Sequence, residues 1–495
     1  MGNTNKLKIY LAEKFMDSFA TDNIWVFVGK PDDWNTGGTV ALGHKEYTTD
    51  TLLTDIENWD DIMSIQRVSD VSLVVPYVTI DASDSFIEYT DNDDLFDDPS
   101  TDIFYGVVES TRNVYKCISN NYNSPVVDIP DLRQTNVIKS SGDGYIWKFM
   151  YQISASDWDK YRIAPGSSIG GWIPIKNITK ADDSAQWDDV MKGAVDGEIV
   201  HVDTIATTGF KDISGNPFTD KLGHTIHINK DLTGEGFGTG FAATIAQHSV
   251  GEKNFYINIT NPGSGYRVIS TIHTFDGSQY DSLNLAAQLR PILSPIGGHG
   301  FDAVEELGGS RVMISVNLNE TMVDFISQND FRKIGLIVDP YTEKSSLDYI
   351  SGELLVSGNK YNESVNAKQL VKFKVSQTQW INEGVTPANI IDKIFTLYID
   401  ATETATKGRV VEVEPDGETY TLNLLTTQGK FDAKATGSIA IRGVLDGGSA
   451  DSHLSVNEIT QEKLKKYTGR IIYVDNITAT ARDASTQTLK LVLEF

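Results

Sequence analysis

A serine inside a glycine-flanked turn is the first candidate for chemistry. Residues 166–170, with the sequence GSSIG, satisfy the G-x-S-x-G pattern of a nucleophile elbow, in which Ser168 would be the nucleophile. That arrangement needs a strand before the serine and a helix after it. Pro165 precedes the pattern, and residues 171–174 (GWIP) follow it, which is incompatible with the required helix. We therefore predict a loop here and no catalytic serine.

Three histidines are the next candidates, because imidazole nitrogen is a common ligand of zinc. His224 and His227 are an odd number of positions apart. In a strand their side chains would leave opposite faces and could not share an ion without distortion. His299 lies between glycines and is expected in a loop, where one histidine makes no site. We interpret the first two as ordinary strand histidines and predict no metal ligand.

An acidic segment is a possible calcium loop. Between Arg67 and Arg112 the chain has no lysine or arginine, while five aspartates surround Leu95 and Phe96: Asp91, Asp93, Asp94, Asp97 and Asp98. A calcium loop needs oxygen ligands at alternating positions, and the two apolar residues interrupt that spacing. A solvated acidic loop or a docking patch is the favoured interpretation. Whether the segment between Asp91 and Asp98 binds an ion is left open.

Glycine-rich and acidic patterns give no further site. Residues 234–240 read G-x-G-x-G-x-G, which differs from the G-x-G-x-x-G of dinucleotide-binding loops, and residues 241–245 are expected to form a strand. The chain contains no G-x-x-x-x-G-K-[ST], and its 68 acidic residues include no pair that stands out for glycoside cleavage. We predict no catalytic residue, no cofactor and no metal, so the chain is expected not to be an enzyme.

Strands dominate the elements that must position any site. Two sets recur at helical spacing and are expected as helices packed on a sheet, the second after the cap candidates Thr49 and Asp50: Leu7, Leu11, Phe15 and Phe19; and Leu52, Ile56, Trp59 and Met63. Residues 312–318 and 489–495 alternate with period two, which is typical of antiparallel strands. Residues 261–266 (NPGSGY) have turn chemistry. Most of six tryptophans are expected in cores: Trp34, Trp59, Trp147, Trp158, Trp172 and Trp187.

Length and charge limit the class of protein. A chain of 495 residues with 40% apolar residues is expected to form about three domains with sizeable cores. The net charge of −26 repels phosphate backbones and anionic lipid surfaces, so neither nucleic acid nor membrane is expected as a partner. Cys117 is the only cysteine, which excludes an intrachain disulfide, and we interpret it as a buried inert thiol. No stretch approaches the ~20 apolar residues of a membrane span.

Two phrases carry a resemblance to a known family. Residues 114–118 (VYKCI) form an apolar strand, and residues 142–153 (GDGYIWKFMYQI) form a Gly-Asp-Gly turn that leads into an aromatic strand. They resemble the baseplate wedge subunit of contractile-tailed, T-even-like bacteriophages, the gene product eight family. Further phrases resemble the same family in the same order: residues 13–15, 23–34, 330–340, 467–476 and 489–495.

Two segments have no counterpart in that family. Residues 195–301 are predicted to be an inserted small β domain, with a weak repeat of a Gly-polar-Gly-aromatic phrase at residues 238–245 and 263–269. Residues 345–458 are predicted to be an inserted β-sandwich or barrel-like domain. The scaffold then consists of residues 1–194 (α+β), 302–344 and 459–495. The expected fold class is mainly β with a few helices (α+β), built of antiparallel sheets or sandwich-like domains with β-rich insertions.

The resemblance implies a function through surfaces. It implies a non-catalytic structural component of a tail baseplate wedge, a homodimer that contacts other wedge proteins, takes part in baseplate assembly and helps transmit the contraction signal. It also implies a location in the virion, in the tail baseplate, after assembly in the host cytoplasm. The insertions motivate an alternative by analogy, a tail-associated glycan-binding or polysaccharide-degrading β-protein.

Overall fold

The computed structural model divides the chain into two compact units. The first unit contains Met1–Met16, Ser72–Met313 and Val492–Phe495, and the second contains Asp17–Val71 and Ile314–Leu491. The structure describes the following residues: 4–30, 52–93, 95–96, 103–121, 123–167, 170–204, 222–230, 232–247, 255–275, 280–281, 289–318, 325–327, 329–342, 366–376, 390–399, 402–431, 441–445, 453–481 and 487–495.

Strands far outnumber helices, and every strand pair for which a register is given is antiparallel. The helices are α1 (Thr4–Thr21), α2 (Leu52–Asp61), α3 (Ala155–Tyr161), α4 (Ser184–Asp189) and α5 (Ala303–Glu306). The strands are β1 (Ile24–Gly29), β2 (Ile62–Arg67), β3 (Asp70–Pro76), β4 (Tyr105–Val108), β5 (Asn113–Ser119), β6 (Ile138–Lys139), β7 (Ile146–Gln152), β8 (Trp172–Ile175), β9 (His201–Thr204), β10 (Thr225–Ile228), β11 (Phe237–Gln247), β12 (Phe255–Tyr266), β13 (Ile272–Phe275), β14 (Tyr280–Asp281), β15 (Leu289–Ile292), β16 (Arg311–Leu318), β17 (Asp330–Val338), β18 (Asn366–Lys368), β19 (Val371–Ser376), β20 (Ile394–Ile399), β21 (Thr402–Asp416), β22 (Thr419–Gln428), β23 (Ile441–Leu445), β24 (His453–Thr460), β25 (Arg470–Ala481) and β26 (Gln487–Glu494). The predicted fold class, mainly β with antiparallel sheets, is confirmed.

In the first unit, the two motif phrases form neighbouring strands. The sheet has the order β4-β5-β7-β6, and β5 pairs with β7 so that Cys117 lies opposite Trp147. Aromatic and β-branched side chains of these strands fill one core, in which Tyr115 and Cys117 are fully buried. The predicted burial of Cys117 is confirmed, and burial raises the pKa of its thiol, which disfavours the reactive thiolate.

The segment from residue 201 to 292 forms a five-stranded sheet, β12-β11-β10-β13-β14, and a two-stranded ribbon of β9 and β15. The two glycine-rich phrases lie opposite each other on the paired strands β11 and β12. Thr239 lies opposite Ser264, and Phe237 lies opposite Tyr266. Residues 261–266, predicted as a turn, are the end of strand β12, so that prediction is wrong. The glycines take positive φ inside the strands and leave room for the Tyr266 ring.

The second unit contains a sheet with the order β18-β2-β1-β17-β25. Its central strand β1 is buried along its whole length, as expected for a strand covered on both faces. Strands β1, β17 and β25 are the segments around residues 23–30, 330–340 and 467–476 that carry the family resemblance.

The same unit contains a closed barrel of six antiparallel strands, β19-β22-β21-β20-β23-β24. Closure leaves no unpaired edge strand. Three phenylalanines, Phe373, Phe395 and Phe431, meet in its interior, with ring centroids of Phe373 and Phe431 4.9 Å apart. Of the two alternatives expected for residues 345–458, the structure has the barrel, over β19 to β24. The predicted domain boundaries themselves stay predictions.

Among the described residues of the second unit, three lysines are buried, each against a carboxylate from a distant segment. Lys30 contacts Asp392 at 2.8 Å, Lys333 contacts Asp61 at 2.6 Å, and Lys368 contacts Glu412. The Lys368 and Glu412 side chains are 2% and 0% exposed, so this pair is fully enclosed. Burying an ammonium group without a partner costs several kcal/mol, so these pairs constrain which segments lie together.

The helix predictions need two corrections. Helix α1 forms as expected, but Ile9 and Ala12 are buried, whereas Leu7 and Leu11 are 59% and 45% exposed. Helix α2 ends at Asp61, and Met63 belongs to strand β2. The cap candidates Thr49 and Asp50 lie outside the described residues. None of the helices among the described residues is long and apolar enough to cross a membrane.

The tryptophan prediction is wrong for half of the six residues. Trp59 and Trp147 are buried, as expected. Trp158, Trp172 and Trp187 are half-buried, and cationic side chains lie over their rings: Arg162, Arg311, and Lys180 with Lys192, respectively. Trp34 lies outside the described residues.

We predict that Gly238→Ala destabilises the first unit far more than Gly240→Ala. Both glycines are in β11 with positive φ, which costs a side-chain-bearing residue about 1–2 kcal/mol. A Cβ at Gly238 would come within 2.3 Å of the Tyr266 ring, whereas at Gly240 its nearest neighbour is at 3.8 Å. Overpacking therefore adds roughly 1–3 kcal/mol at Gly238 alone. Urea denaturation of the two variants measures the difference, and equal losses would contradict the packing of Tyr266.

Removing one partner of the Lys368–Glu412 pair should cost more than neutralising both. Lys368→Met leaves a buried carboxylate uncompensated, with an expected loss of about 3–5 kcal/mol. Glu412→Gln in addition removes that charge and keeps an amide oxygen for the Ser327 backbone N–H, so it should recover a large part of the loss. Denaturation of the single and double variants tests this, and a double variant as unstable as the sum of both losses would contradict it.

Candidate functional site

A cavity of the first unit has a volume of about 730 Å³. Its wall comes from the end of β5, the turn between β6 and β7, the segment after β3, and strands β9, β12 and β15. Polar side chains line one part of it: Ser119, Asn120, Asn121, Asn123, Lys139 and Ser140. The predicted scaffold and the predicted first insertion therefore both contribute residues to one cavity.

Two ionisable side chains of strand β9, those of His201 and Asp203, line this cavity. His201 and Asp203 are two positions apart, so the pleat directs them to the same face, while Val202 between them enters the core of the five-stranded sheet. Across the ribbon, Ile292 of β15 lies opposite His201 and Arg290 lies opposite Asp203.

Glu88 completes a group of three potential ligands. Its Oε2 atom is 3.7 Å from Nε2 of His201 and accepts a weak hydrogen bond from the Asn120 backbone N–H at 3.4 Å. One ligand atom each from Glu88, His201 and Asp203 lies within 4.8 Å of the other two. Nε2 of His201 is shielded from solvent and has no hydrogen-bond partner.

Burial favours the neutral forms of both Glu88 and His201. Burial raises the pKa of Glu88 to about 7, and the neighbouring Asp203 carboxylate adds to the effect. Burial lowers the pKa of His201 to about 4. At neutral pH the imidazole is therefore uncharged, as metal ligation requires, and Glu88 can both donate and accept a proton, as general acid–base chemistry requires.

Part of the predicted acidic segment closes the rim of this cavity. Asp91 accepts hydrogen bonds from the Arg290 guanidinium and from the Leu293 backbone N–H, so it links the segment after β3 to β15. Arg290 also donates to Thr90 at 3.0 Å. Asp93 lines the cavity, and Asp94, Asp97 and Asp98 lie outside the described residues. Asp91 thus has a docking role within the chain.

The other candidates from the sequence do not belong to this group of three. Ser168 lies outside the described residues, Ser167 Oγ donates to the Gly170 carbonyl, and the strand β8 follows. His227 lies in β10 opposite His273 of β13, and His224 precedes that strand. Residues 241–245 are in strand β11, as predicted, and that strand also contains Gly238 and Gly240 of the glycine-rich phrase.

Sequence reasoning missed the three residues of the cavity. A His-x-Asp pair on an alternating strand is a readable signal, because both side chains must share a face. Glu88 lies 113 positions before His201 in an irregular segment, and no spacing rule connects it to β9.

A second cluster of ionisable groups lies under the β4-β5-β7-β6 sheet and is fully enclosed. Lys116 pairs with Glu306, and His299 is fully buried with its Nδ1 atom 4.0 Å from Glu306 and its ring edge-on to Tyr89. His299 lies in a turn outside the helices and strands, as predicted, and its side chain is buried there. Lys148 donates to the Thr135 carbonyl nearby. We interpret this cluster as part of the core.

The buried His299 should make the protein less stable in acid. Burial, with Lys116 and Lys148 nearby, lowers the pKa of His299 well below its ordinary value of 6.5. Below pH 6.5 the unfolded chain therefore binds a proton that the folded protein does not. The free energy of unfolding then decreases as the pH is lowered, by up to about 1.4 kcal/mol per pH unit. His299→Leu should remove that slope and leave the contributions of His201 and the acidic groups unchanged. Urea denaturation between pH 5 and 7.5 measures the pH dependence of the free energy of unfolding. The same pH dependence in the unaltered protein and in His299→Leu would refute the prediction.

No known protein family matches this chain, and no curated protein sequence matches it either. The function is therefore argued from the residues and their arrangement.

Proposed function

We propose that this chain is a structural subunit of a bacteriophage tail baseplate wedge, acting without catalysis. In this proposal it forms a homodimer, contacts other wedge proteins in the virion, takes part in baseplate assembly and helps transmit the change that releases contraction. Rigid sheets and permanent interfaces would do this work, because extensive buried contacts are what hold obligate complexes together.

One observation carries the proposal. The phrases that resemble the wedge subunit are spread over most of the sequence, yet they form adjacent strands. Ile24 of β1 lies opposite Val338 of β17, and Val338 lies opposite Arg470 of β25. Unrelated phrases that matched a family by chance would have no reason to pair with one another, whereas the phrases of one shared scaffold would.

Two other resembling phrases behave in the same way. Strands β5 and β7, which contain VYKCI and IWKFMYQ, pair along their length in the first unit. These pairings favour a common scaffold interrupted by insertions.

Exposed apolar side chains favour contacts with other chains. Leu7, Tyr10 and Leu11 lie together on α1 and are 59%, 54% and 45% exposed. A second exposed apolar group follows strand β5: Val127, Ile129 and Leu132. Contiguous apolar surface of this kind is typical of interaction sites, and the acidic exterior suits basic patches on partners.

Electron microscopy of virions that contain a tagged copy of the chain tests the proposal directly. We expect the tag at the tail baseplate, and we expect the purified chain to copurify with other wedge proteins in a complex that contains two copies. Tag density at the fibre tips or in the neck would exclude the wedge assignment.

We predict that Leu7→Gln with Leu11→Gln weakens wedge assembly without unfolding the protein. Both side chains are largely exposed, so the free energy of unfolding should change by less than about 1 kcal/mol. Copurification with wedge partners should fall at least about tenfold, since apolar anchors dominate interfaces. Ala20→Gln, at an exposed position of the same helix, is the control and should assemble normally. Normal assembly of the double variant would remove α1 from the proposed interface.

The alternative, a polysaccharide-degrading protein, has one observation in its favour. Glu88, with a pKa of about 7, and Asp203 place two carboxylates in a cavity with polar walls, as glycoside cleavage requires. Incubation of the purified chain with capsular polysaccharide and with peptidoglycan tests it. Reducing-end release that Glu88→Gln abolishes would favour this alternative over a purely structural role.

A further inference from the structure

We propose that Glu88, His201 and Asp203 form a binding site for one divalent transition-metal ion, with an open coordination position that faces the cavity of the first unit. This inference is independent of the wedge proposal, because it concerns a site built largely by the segment that the resembling family lacks.

The donor set defines the class of ion. One imidazole nitrogen with two carboxylate oxygens suits Zn²⁺ or Mn²⁺, whereas Ca²⁺ and Mg²⁺ prefer oxygen ligands alone. Three protein ligands leave a fourth position of a tetrahedral ion for water or a bound molecule, the arrangement of open zinc sites. The 730 Å³ cavity provides room at that position.

The geometry is close to that of a formed site. Ligands about 2.0–2.2 Å from a tetrahedral ion lie roughly 3.5 Å from one another. Here Nε2 of His201 and Oε2 of Glu88 are 3.7 Å apart, and the ligand atoms of all three residues lie within 4.8 Å of one another. Small side-chain rotations are enough to bring them around one ion.

A second observation points to a ligand at this position. Nε2 of His201 is shielded from solvent, lies in the cavity wall and has no hydrogen-bond partner, although buried polar atoms normally have one. A metal ion between His201 and the carboxylates would satisfy this atom. The nearby Arg290 guanidinium donates hydrogen bonds to Asp91 and Thr90, which hold it beside the three potential ligands.

Supporting groups hold the ligands in place. The Asn120 backbone N–H donates to Glu88, and the β9–β15 pairing fixes His201 and Asp203 on one face of their strand. Groups that orient ligands in this way contribute strongly to metal affinity. The site therefore depends on both β5, which ends next to Asn120, and β9.

Calorimetric titration of the full chain with Zn²⁺, after removal of metal with EDTA, tests the proposal, and Mn²⁺ is the second probe. We expect one ion per chain. His201→Ala and Glu88→Gln should each lower the affinity at least ~100-fold, since loss of a ligand exceeds loss of an orienting group. His224→Ala, which removes a histidine outside the cavity, is the matched control and should bind as the unaltered chain does.

Two results would overturn the proposal. One is the absence of stoichiometric binding of either ion, and the other is binding that His201→Ala and Glu88→Gln leave unchanged. Glu88→Gln removes a charge that is disfavoured by burial, so it should fold even where His201→Ala does not. As a second readout, the absorption spectrum of bound Co²⁺ should report one nitrogen ligand in the unaltered chain and lose its intensity in His201→Ala.

Discussion

Buried ammonium groups are the constraint on which much of this structure depends. Lys30, Lys116, Lys333 and Lys368 each meet a carboxylate inside the protein, since an unpaired buried charge costs more than most single contacts provide. Lys116 pairs with Glu306, 190 positions later, and Lys30 pairs with Asp392, 362 positions later. Such pairs contribute little net stability compared with apolar residues of the same size, but they penalise any arrangement that separates the partners. They therefore specify which distant segments meet within each unit.

The barrel illustrates how the chain satisfies this constraint. Strand β21 must fill the barrel interior and also send a carboxylate outward to Lys368. Val410 and Val413 both enter the barrel core although they are three positions apart, because a bulge between Val410 and Glu412 shifts the alternation. Glu412 then points to Lys368 of β18, outside the barrel. One bulge thus reconciles closure of the barrel with the buried ion pair.

The sequence predicts the classes of element better than their ends or their contacts. Period-two alternation correctly identifies residues 312–318 as part of strand β16 and residues 489–494 as part of strand β26. The turn predicted for residues 261–266 is wrong, because proline and glycine are typical of turns but also occur in a strand that packs against a large aromatic ring. Tyr266 needs the space above Gly238, and that requirement is visible only after β11 and β12 are paired.

The candidate site shows the same limit. The sequence could reveal that His201 and Asp203 share a face, since that follows from strand geometry alone. It could not bring Glu88 to them, because the segment after β3 has no periodicity and is held there by the Asp91–Arg290 pair and the Asn120 hydrogen bond. Contacts that depend on tertiary structure have no local signal.

In the described part of each predicted insertion, an early strand pairs with a late one. In the first, β9 near the entry pairs with β15 near the exit, and in the second, β19 pairs with β24 in the same way. Paired ends cost a scaffold little, because the chain leaves and returns at neighbouring points and the closure entropy grows only slowly with length. His201 and Asp203 lie on the entry strand of the first insertion and Arg290 on its exit strand. The β9–β15 pairing holds His201 and Asp203 at fixed relative positions, so the insertion can contribute side chains to the cavity while its entry and exit stay at neighbouring points.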